Sequence, residues 1–231
     1  MSKLSFILPT LNEASVVKNQ LARLQLYREA GHEVILVDGG SCDTTVQLAA
    51  GFVDQLLVTA PGRSLQMNAG AARATGDLLV FLHVDTELPQ DAAALITQAM
   101  AVPESGWGWF CVRLSNSRLP FKIIASCMNL RAQLTFVCTG DQTMFVKRDL
   151  FNRVGGFPQL PLMEDVAVSK LLRRKSTPNW ITQPVIASSR RWERQGILHT
   201  VLLMWWLRLL YFLGVNPARL LSMYYPAMPK S

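Results

Sequence analysis

Along this chain, short apolar runs alternate with longer stretches in which apolar residues recur every three or four positions. The clearest run is 78–82, LLVFL, which breaks off abruptly into His83, Asp85, Thr86 and Glu87. Consecutive apolar residues predict a strand buried on both faces, as in a parallel sheet covered by helices. Runs at 4–8, 33–37 and 55–58 predict three further strands. Between them lie helical patterns. One is capped by Thr10 or Asn12, with Glu13 in its first turn, and runs to about residue 30; a second covers 43–51, and an Ala-rich third covers 63–75 until Gly76 stops it. This alternation predicts a doubly wound α/β domain with a mostly parallel central sheet flanked by helices over the first hundred residues.

Beyond Pro89 the pattern predicts a helix over 91–100 and an edge or antiparallel strand over GWGWFCVRLS. A helix over 119–134 follows, then a strand over 137–146 interrupted by Gly140-Asp141-Gln142. Residues 155–158 form a turn, Met163-Glu164-Asp165 opens a helix through Arg174, and 180–188 is strand-like. With no internal repeat and no long linker, the partition is one compact domain over 1–195 and an apolar helical appendage over 196–231. Within the appendage, the block 197–215 has only His199, Thr200 and Arg208 as plainly polar residues. An Arg near the centre of a membrane span costs about 2.5–3.5 kcal/mol, against about 0.3–0.6 returned by each Leu or Ile. The balance for a span is marginal. A helix lying on a membrane surface or buried in a dimer is preferred, with an internal core helix as the alternative.

Charge sharpens this picture. The chain has 231 residues, with 23 Lys plus Arg against 16 Asp plus Glu and a formal charge of +7. That favours anionic partners such as a nucleotide or a phospholipid surface. Nucleic acid is not expected, because no basic tract is interleaved with exposed aromatics and no binding module is present. Four widely spaced cysteines without a C-x-x-C pair argue against zinc and a disulfide framework. The apolar segment before Pro9 is too short for a signal peptide, so the expected location is cytoplasmic, peripheral on the inner face of the membrane.

Ligands of open α/β sheets bind outside the carboxyl ends of the strands, so the residues there carry the chemistry. PTLNE (9–13) and DGGS (38–41) follow the first two strands. Asp38 can accept hydrogen bonds from a base or ribose, and its glycines admit a ligand to the backbone; alone, both are ordinary turns and caps. In GRSLQMNAGA (62–71), Arg63 at a helix N-terminus suits phosphate, and the spacing of Arg63, Met67 and Gly70 lets that helix face approach a neighbour. His83-Val84-Asp85 would hold a hard divalent cation, Mg²⁺ or Mn²⁺, through Asp85; otherwise the Asp caps a helix. One carboxylate of Glu164-Asp165 can take a proton from an attacking hydroxyl, or the pair simply complements a helix dipole. Arg190, Arg191 and Arg194 surround Trp192, an arrangement suited to a phosphate with a stacked ring or to a solvated basic face.

Taken in this order, the segments resemble a family 2 glycosyltransferase with a GT-A fold over roughly residues 4–195. PTLNE is similar to that family's opening motif, DGGS to its second-strand Asp, HVD to its D-x-D, and ED followed by RRW to its late signatures. GRSLQMNAGA, FLHVDTELP, GDQTMFVKRDLF and GGFPQLPLMEDV resemble more closely a small bacterial arsenosugar-biosynthesis-type subgroup. The resemblance implies a nucleotide-sugar donor (uridine as the expected base), a divalent metal and inversion at the anomeric carbon. Asp38 and Gly39 would contact the nucleotide, with Pro9, Thr10, Glu13, Arg63, Asn68 and His83 lining its pocket. Asp85 would bind the metal, and Asp165, beside Glu164, would be the base. Asp141, Gln142, Arg191 and Trp192 would meet the diphosphate or acceptor. His83 departs from the first Asp of D-x-D, and RRW replaces a longer Q-x-x-R-W, which argues against a processive synthase. Trp107, Trp109 and the 205–212 region permit a lipid acceptor; a small molecule is the alternative. A nucleotidyltransferase, which would need a Gly-rich basic loop after the first strand, and a non-catalytic binding protein are the competing readings; a dinucleotide oxidoreductase lacks its G-x-G-x-x-G.

Overall fold

A computed structural model describes residues 2–224. Four strands, β1 (Leu4–Thr10), β2 (Glu33–Asp38), β3 (Gln55–Val58) and β4 (Leu78–Phe81), lie parallel in the order β3-β2-β1-β4. The sheet continues through β7 (Met144–Lys147), β6 (Ser105–Leu114), β8 (Thr177–Ala187) and β5 (Thr86–Glu87). β7 runs antiparallel to both β4 and β6, β8 is parallel to β6, and β5 is antiparallel to β8. The second half of the sheet is therefore mixed. β6 is antiparallel to β7, as its alternating pattern suggests, but it is no edge: Trp107, Trp109 and Phe110 are fully buried between its neighbours. The two tryptophans are core and do not meet an acceptor.

Alternate residues of each strand feed two cores. Leu4, Phe6 and Leu8 pack with Leu21 and Leu24 of α1 (Ala14–Glu29), Ile96 of α4 (Ala92–Met100) and Phe121 of α5 (Leu119–Thr135). Ile7, Ile35 and Phe81 pack on the other face with Met67 of α3 (Arg63–Arg73), Phe151 of α6 (Arg148–Arg153) and Val168 of α7 (Glu164–Leu172). A third cluster joins Val137, Met163 and Val166 to Leu207 of α9 (Ile197–Phe212) and Leu220 of α10 (Pro217–Tyr224). The appendage is thus packed on the domain through its apolar inner face; its residues 225–231 lie outside those described. Two short helices, α2 (Thr45–Ala49) and α8 (Arg190–Gln195), complete the chain.

The start of α1 differs from expectation. Neither Thr10 nor Asn12 caps it, because Oδ1 of the Asn12 side chain accepts the backbone N–H of Cys42 at 2.9 Å while its own backbone takes a left-handed φ of 55°. The Ala14 N–H donates instead to Asp43, at 3.1 Å. The expectation for α3 holds: a Cβ at Gly70 would lie 2.5 Å from Cγ2 of Ile7 and 3.1 Å from Cγ2 of Val37, so only glycine lets α3 seat on β1 and β2. Gly70→Val is expected to lower the unfolding free energy by about 1–3 kcal/mol, more than the few tenths by which Val outranks Gly as a helix former. Urea denaturation reads that loss, and an unchanged midpoint would contradict this packing.

Candidate active site

β1 and β2 end side by side, Thr10 opposite Asp38. The Asp38 carboxylate folds its own turn: one oxygen accepts the N–H groups of Gly40 and Ser41 at 2.9 and 2.7 Å, the other the hydroxyls of Ser41 and Thr10 at 2.5 and 3.4 Å. Behind it lies a buried amide. Nε2 of Gln66 donates to the carbonyls of Thr10 and Val37, both at 2.8 Å, and Gly39 packs on the same side chain. This fixes α3 against the strand ends and sets Arg63, nearly one turn earlier, at the mouth of the site. Half-buried Pro9 and Glu13 follow on the β1 side. Burial, and next the charge of Asp85, push the Glu13 carboxyl above its ordinary range, opposed by Arg190 and Arg63. Asp85 itself faces Arg190 across 3.5 Å.

The centre of the site is a ring of polar contacts. His83, just beyond β4, places Nδ1 3.4 Å from Asp141 and its Nε2 against the Arg63 guanidinium. Arg63 reaches Glu164 at 3.7 Å. Asp165, the next residue, accepts the Gly140 N–H at 3.0 Å and the Val166 N–H at 2.7 Å. Gly140 closes the ring: a Cβ there would fall 2.1 Å from Nε2 of His83, so the histidine packs on bare backbone. Gly140, Asp141 and Gln142 form a 3₁₀ turn. Met163 precedes Glu164 in a left-handed conformation, φ 69°, a costly backbone state of the sort that clusters at functional sites.

This crowding perturbs two carboxyls in opposite senses. Burial, reinforced by the adjacent Asp165, pushes Glu164 up to about 7, with Arg63 opposing. For Asp141, desolvation also acts upward, but the His83 hydrogen bond and the charges of His83, Arg63 and Arg191 outweigh it and hold the carboxyl below its ordinary range.

Asn68 and Gln142 hold the walls of the site in place. Both ends of the Asn68 amide are taken by the backbone of Phe157, at 2.8 and 2.9 Å, which staples the 155–158 turn to α3. Gln142 is fully buried, and its side chain accepts the Thr139 N–H at 3.2 Å. Of the late pair, Trp192 packs partly buried against the first core, and the Arg191 guanidinium lies 4.2 Å from the centre of the Tyr224 ring. Sequence reading missed Gln66, Arg131 and Arg208. Arg131 donates to the Val137 carbonyl at 2.9 Å, but its Nε and Nη2, like Nε of Arg208, are buried and find no hydrogen-bond partner among the described residues. Burial, and next the charge of Arg208, lower the Arg131 guanidinium to about 10, with Cys138, Asp165 and Asp141 opposing. A lone Arg spaced i+7 and i+3 from Ile124 and Met128, both packed against the core, was the available signal.

Among the described residues no three His, Cys, Asp or Glu side chains converge as a metal cage. Asp85 stands as a single, partly exposed carboxylate. That donor set suits Mg²⁺ or Mn²⁺ of the kind held by one or two carboxylates together with substrate phosphates.

Acidic, basic and glycine-rich turns thus gather at the strand ends of an α/β sheet, where ligands of such sheets bind. The profile described as Glycosyl transferase family 2 matches residues 5–150, and the chain belongs to that family. The PGL/p-HBAD biosynthesis glycosyltransferase of Mycobacterium bovis (strain BCG / Pasteur 1173P2) is 30% identical over 164 residues, covering 66% of this chain and 62% of that protein. Among solved structures, mannosyltransferase PcManGT from Pyrobaculum calidifontis in complex with GDP-Man and Mn²⁺ superposes with a TM-score of 0.62 at 23% identity, over 81% of this chain and 56% of that one. S. aureus TarS 1-349 in complex with UDP-GlcNAc gives 0.61 at 19% identity, over 80% of this chain and 58% of that one. These structural likenesses establish the GT-A fold. The chain spans less than two thirds of the length of each of these three proteins. The arsenosugar-type subgroup is not among the relatives named.

Glu164 makes the site's pH dependence testable. Its folded pKa, about 7, lies above the ordinary 4.5, so its contribution favours the native state at low pH and is lost as pH rises from 4.5 through about 7. Glu164→Gln mimics the neutral acid and removes this loss. The variant's melting temperature relative to wild type is expected to climb between about pH 5 and pH 8. Differential scanning fluorimetry measures the gap, and a gap constant across that range would contradict the assignment.

Proposed function

We propose that this protein transfers a sugar from a nucleoside-diphosphate donor to an acceptor hydroxyl with inversion, without processive synthesis. One observation carries the reading: the Asp38 turn, Arg63, Asp85 and the Glu164-Asp165 pair come from four separate segments yet gather beyond the carboxyl ends of the parallel strands. Family membership and the GT-A fold support it. The nucleoside sits at the ends of β1 and β2, where its base or ribose replaces one of the internal partners of Asp38. The diphosphate lies against Arg63 at the start of α3, within the charge field of Arg190 and Arg191. Asp85 is the residue that would hold a divalent cation. Such a cation, when bound, neutralises charge on the departing diphosphate.

Asp165 takes the proton of the acceptor hydroxyl as that oxygen attacks the anomeric carbon, and the bond from that carbon to the diphosphate oxygen breaks, releasing the nucleoside diphosphate. Its two backbone hydrogen bonds fix the carboxylate's orientation while leaving lone pairs free. Glu164, with a pKa near neutrality, is the second candidate for that proton. The donor base is taken as uridine by family likeness, with guanosine as the other choice since PcManGT is in complex with GDP-Man. The arsenosugar-biosynthesis-type likeness of 62–71, 81–89, 140–151 and 155–166 is a finer label carried by those motifs alone.

A thermal-shift screen of UDP, GDP and their sugars, with and without Mn²⁺, tests the donor; a ligand at 100 times its Kd adds about 2.7 kcal/mol. Asp165→Asn is expected to lower kcat by about 10²–10⁴ while keeping the donor's thermal shift. No shift with any nucleoside diphosphate, or an Asp165→Asn enzyme at full rate, would overturn the reading. Shifts without turnover would favour a binding protein, and pyrophosphate release from a nucleoside triphosphate would favour a nucleotidyltransferase.

A further inference from the structure

α9 is apolar on both sides, and only one side is used. Its inner face reaches the third core cluster through Leu207, while Leu198, Leu202, Trp205, Trp206, Leu209 and Phe212 recur every three or four residues along the outer face. All six are exposed, Trp205 to 70%. α5 repeats the arrangement. Phe121 and Ala125 face the core, and Leu119, Ile123, Leu130 and Leu134 form an exposed stripe, with Leu134 at 73%. The two helices come near each other. Ile197, at the start of α9, packs into the same cluster as Phe121 and Met128, and further along the helices Arg131 and Arg208 feel each other's charge. Arg208 is turned inward, so the charge that weighs against a membrane in the sequence is absent from the outer stripe.

We propose that the outer faces of α5 and α9 together form a docking surface for an anionic lipid bilayer, on which the protein lies without crossing. Charge selects this occupant. α5, α9 and α10 contain no Asp or Glu, and the exposed cations Arg118, Lys122, Arg194 and Arg219 stand on or beside them. Glu193, in the neighbouring α8, is engaged by Asn116 and Ser189. A second copy meeting this face about a two-fold axis would set the same basic side chains against one another with no acid within these helices to pair them. Anionic headgroups instead attract each nearby Lys or Arg, while Trp205 and Trp206 are the amphipathic aromatics that settle at the headgroup level. Length excludes a span: the 16 residues of α9 rise about 24 Å, short of a bilayer core, and no helix among the described residues is long and apolar enough to cross. The surface is independent of the sugar-transfer reading. It also extends beyond the apolar 197–215 block, since half of it belongs to a helix inside the catalytic domain.

Vesicle flotation of the full chain tests this. Phosphatidylcholine vesicles carrying about a third phosphatidylglycerol are expected to bind the protein, and binding should weaken with salt. The pair Trp205→Glu, Leu209→Glu should weaken it about tenfold or more, and Leu130→Glu on α5 should weaken it independently. All three sites are exposed, so an unchanged melting temperature confirms that each variant is folded. Failure of wild type to float with anionic vesicles, variants that bind as wild type does, or a dimer dissolved by the α9 pair in a protein that ignores vesicles would each overturn the proposal.

Discussion

The Gln66 amide holds this site together. Its nitrogen spends both protons on carbonyls near the ends of β1 and β2, that of Val37 and that of Thr10, which also accepts the Gly39 N–H at 2.8 Å. Leaving the buried Gln66 amide without these acceptors would cost about 1–3 kcal/mol. One side chain therefore ties α3 to two strand ends at once. Gly70, one turn further along, supplies the close approach that makes the bridge reachable. Everything that depends on the position of Arg63, from the His83 contact to the Glu164 pair, follows from that seating.

The electrostatics of the ring follow from how unevenly it is solvated. Glu164 is buried beside another carboxylate with one guanidinium 3.7 Å away, which leaves it poised near neutrality. Asp141 is half-exposed and outnumbered by His83, Arg63 and Arg191, so it stays charged. Two acids on one cluster are thus driven apart by environment, the arrangement that lets a site hold and release a proton at the same pH. A diphosphate entering against Arg63 would compete directly with Glu164 for that cation, which couples donor binding to the protonation of the acid pair.

Much of this was legible in the chain. The runs at 4–8, 33–37 and 78–82 are buried on both faces, so their continuous apolarity announced parallel strands, and the polar residues that break each run marked the site edge. The positions of β6 and β8 were not legible, because pairings such as Trp109 with Trp180 join segments far apart in sequence. The same non-local logic overturned smaller expectations. Asn12 is turned away from capping by Cys42, and the amides of Asn68 and Gln142 are engaged by the backbone of Phe157 and Thr139. The direction in which Arg208 points is a tertiary fact as well. Hydropathy counted it as a charge within an apolar block, whereas the fold buries it toward the acid cluster and leaves the outer stripe clean.

In the proposed function, the Asp38 turn, Arg63 and Asp85 line one nucleotide-diphosphate site whose open end faces Asp165. A crystal structure of the protein with a non-hydrolysable nucleoside-diphosphate sugar and Mn²⁺ measures this directly. The account predicts the base or ribose within hydrogen-bond distance of Asp38, diphosphate oxygens on Arg63, and the anomeric carbon facing Asp165 across a gap that admits a hydroxyl. A donor seated away from the β1 and β2 ends, or bound with Arg63 still closed on Glu164 and Asp165 out of reach, would contradict it.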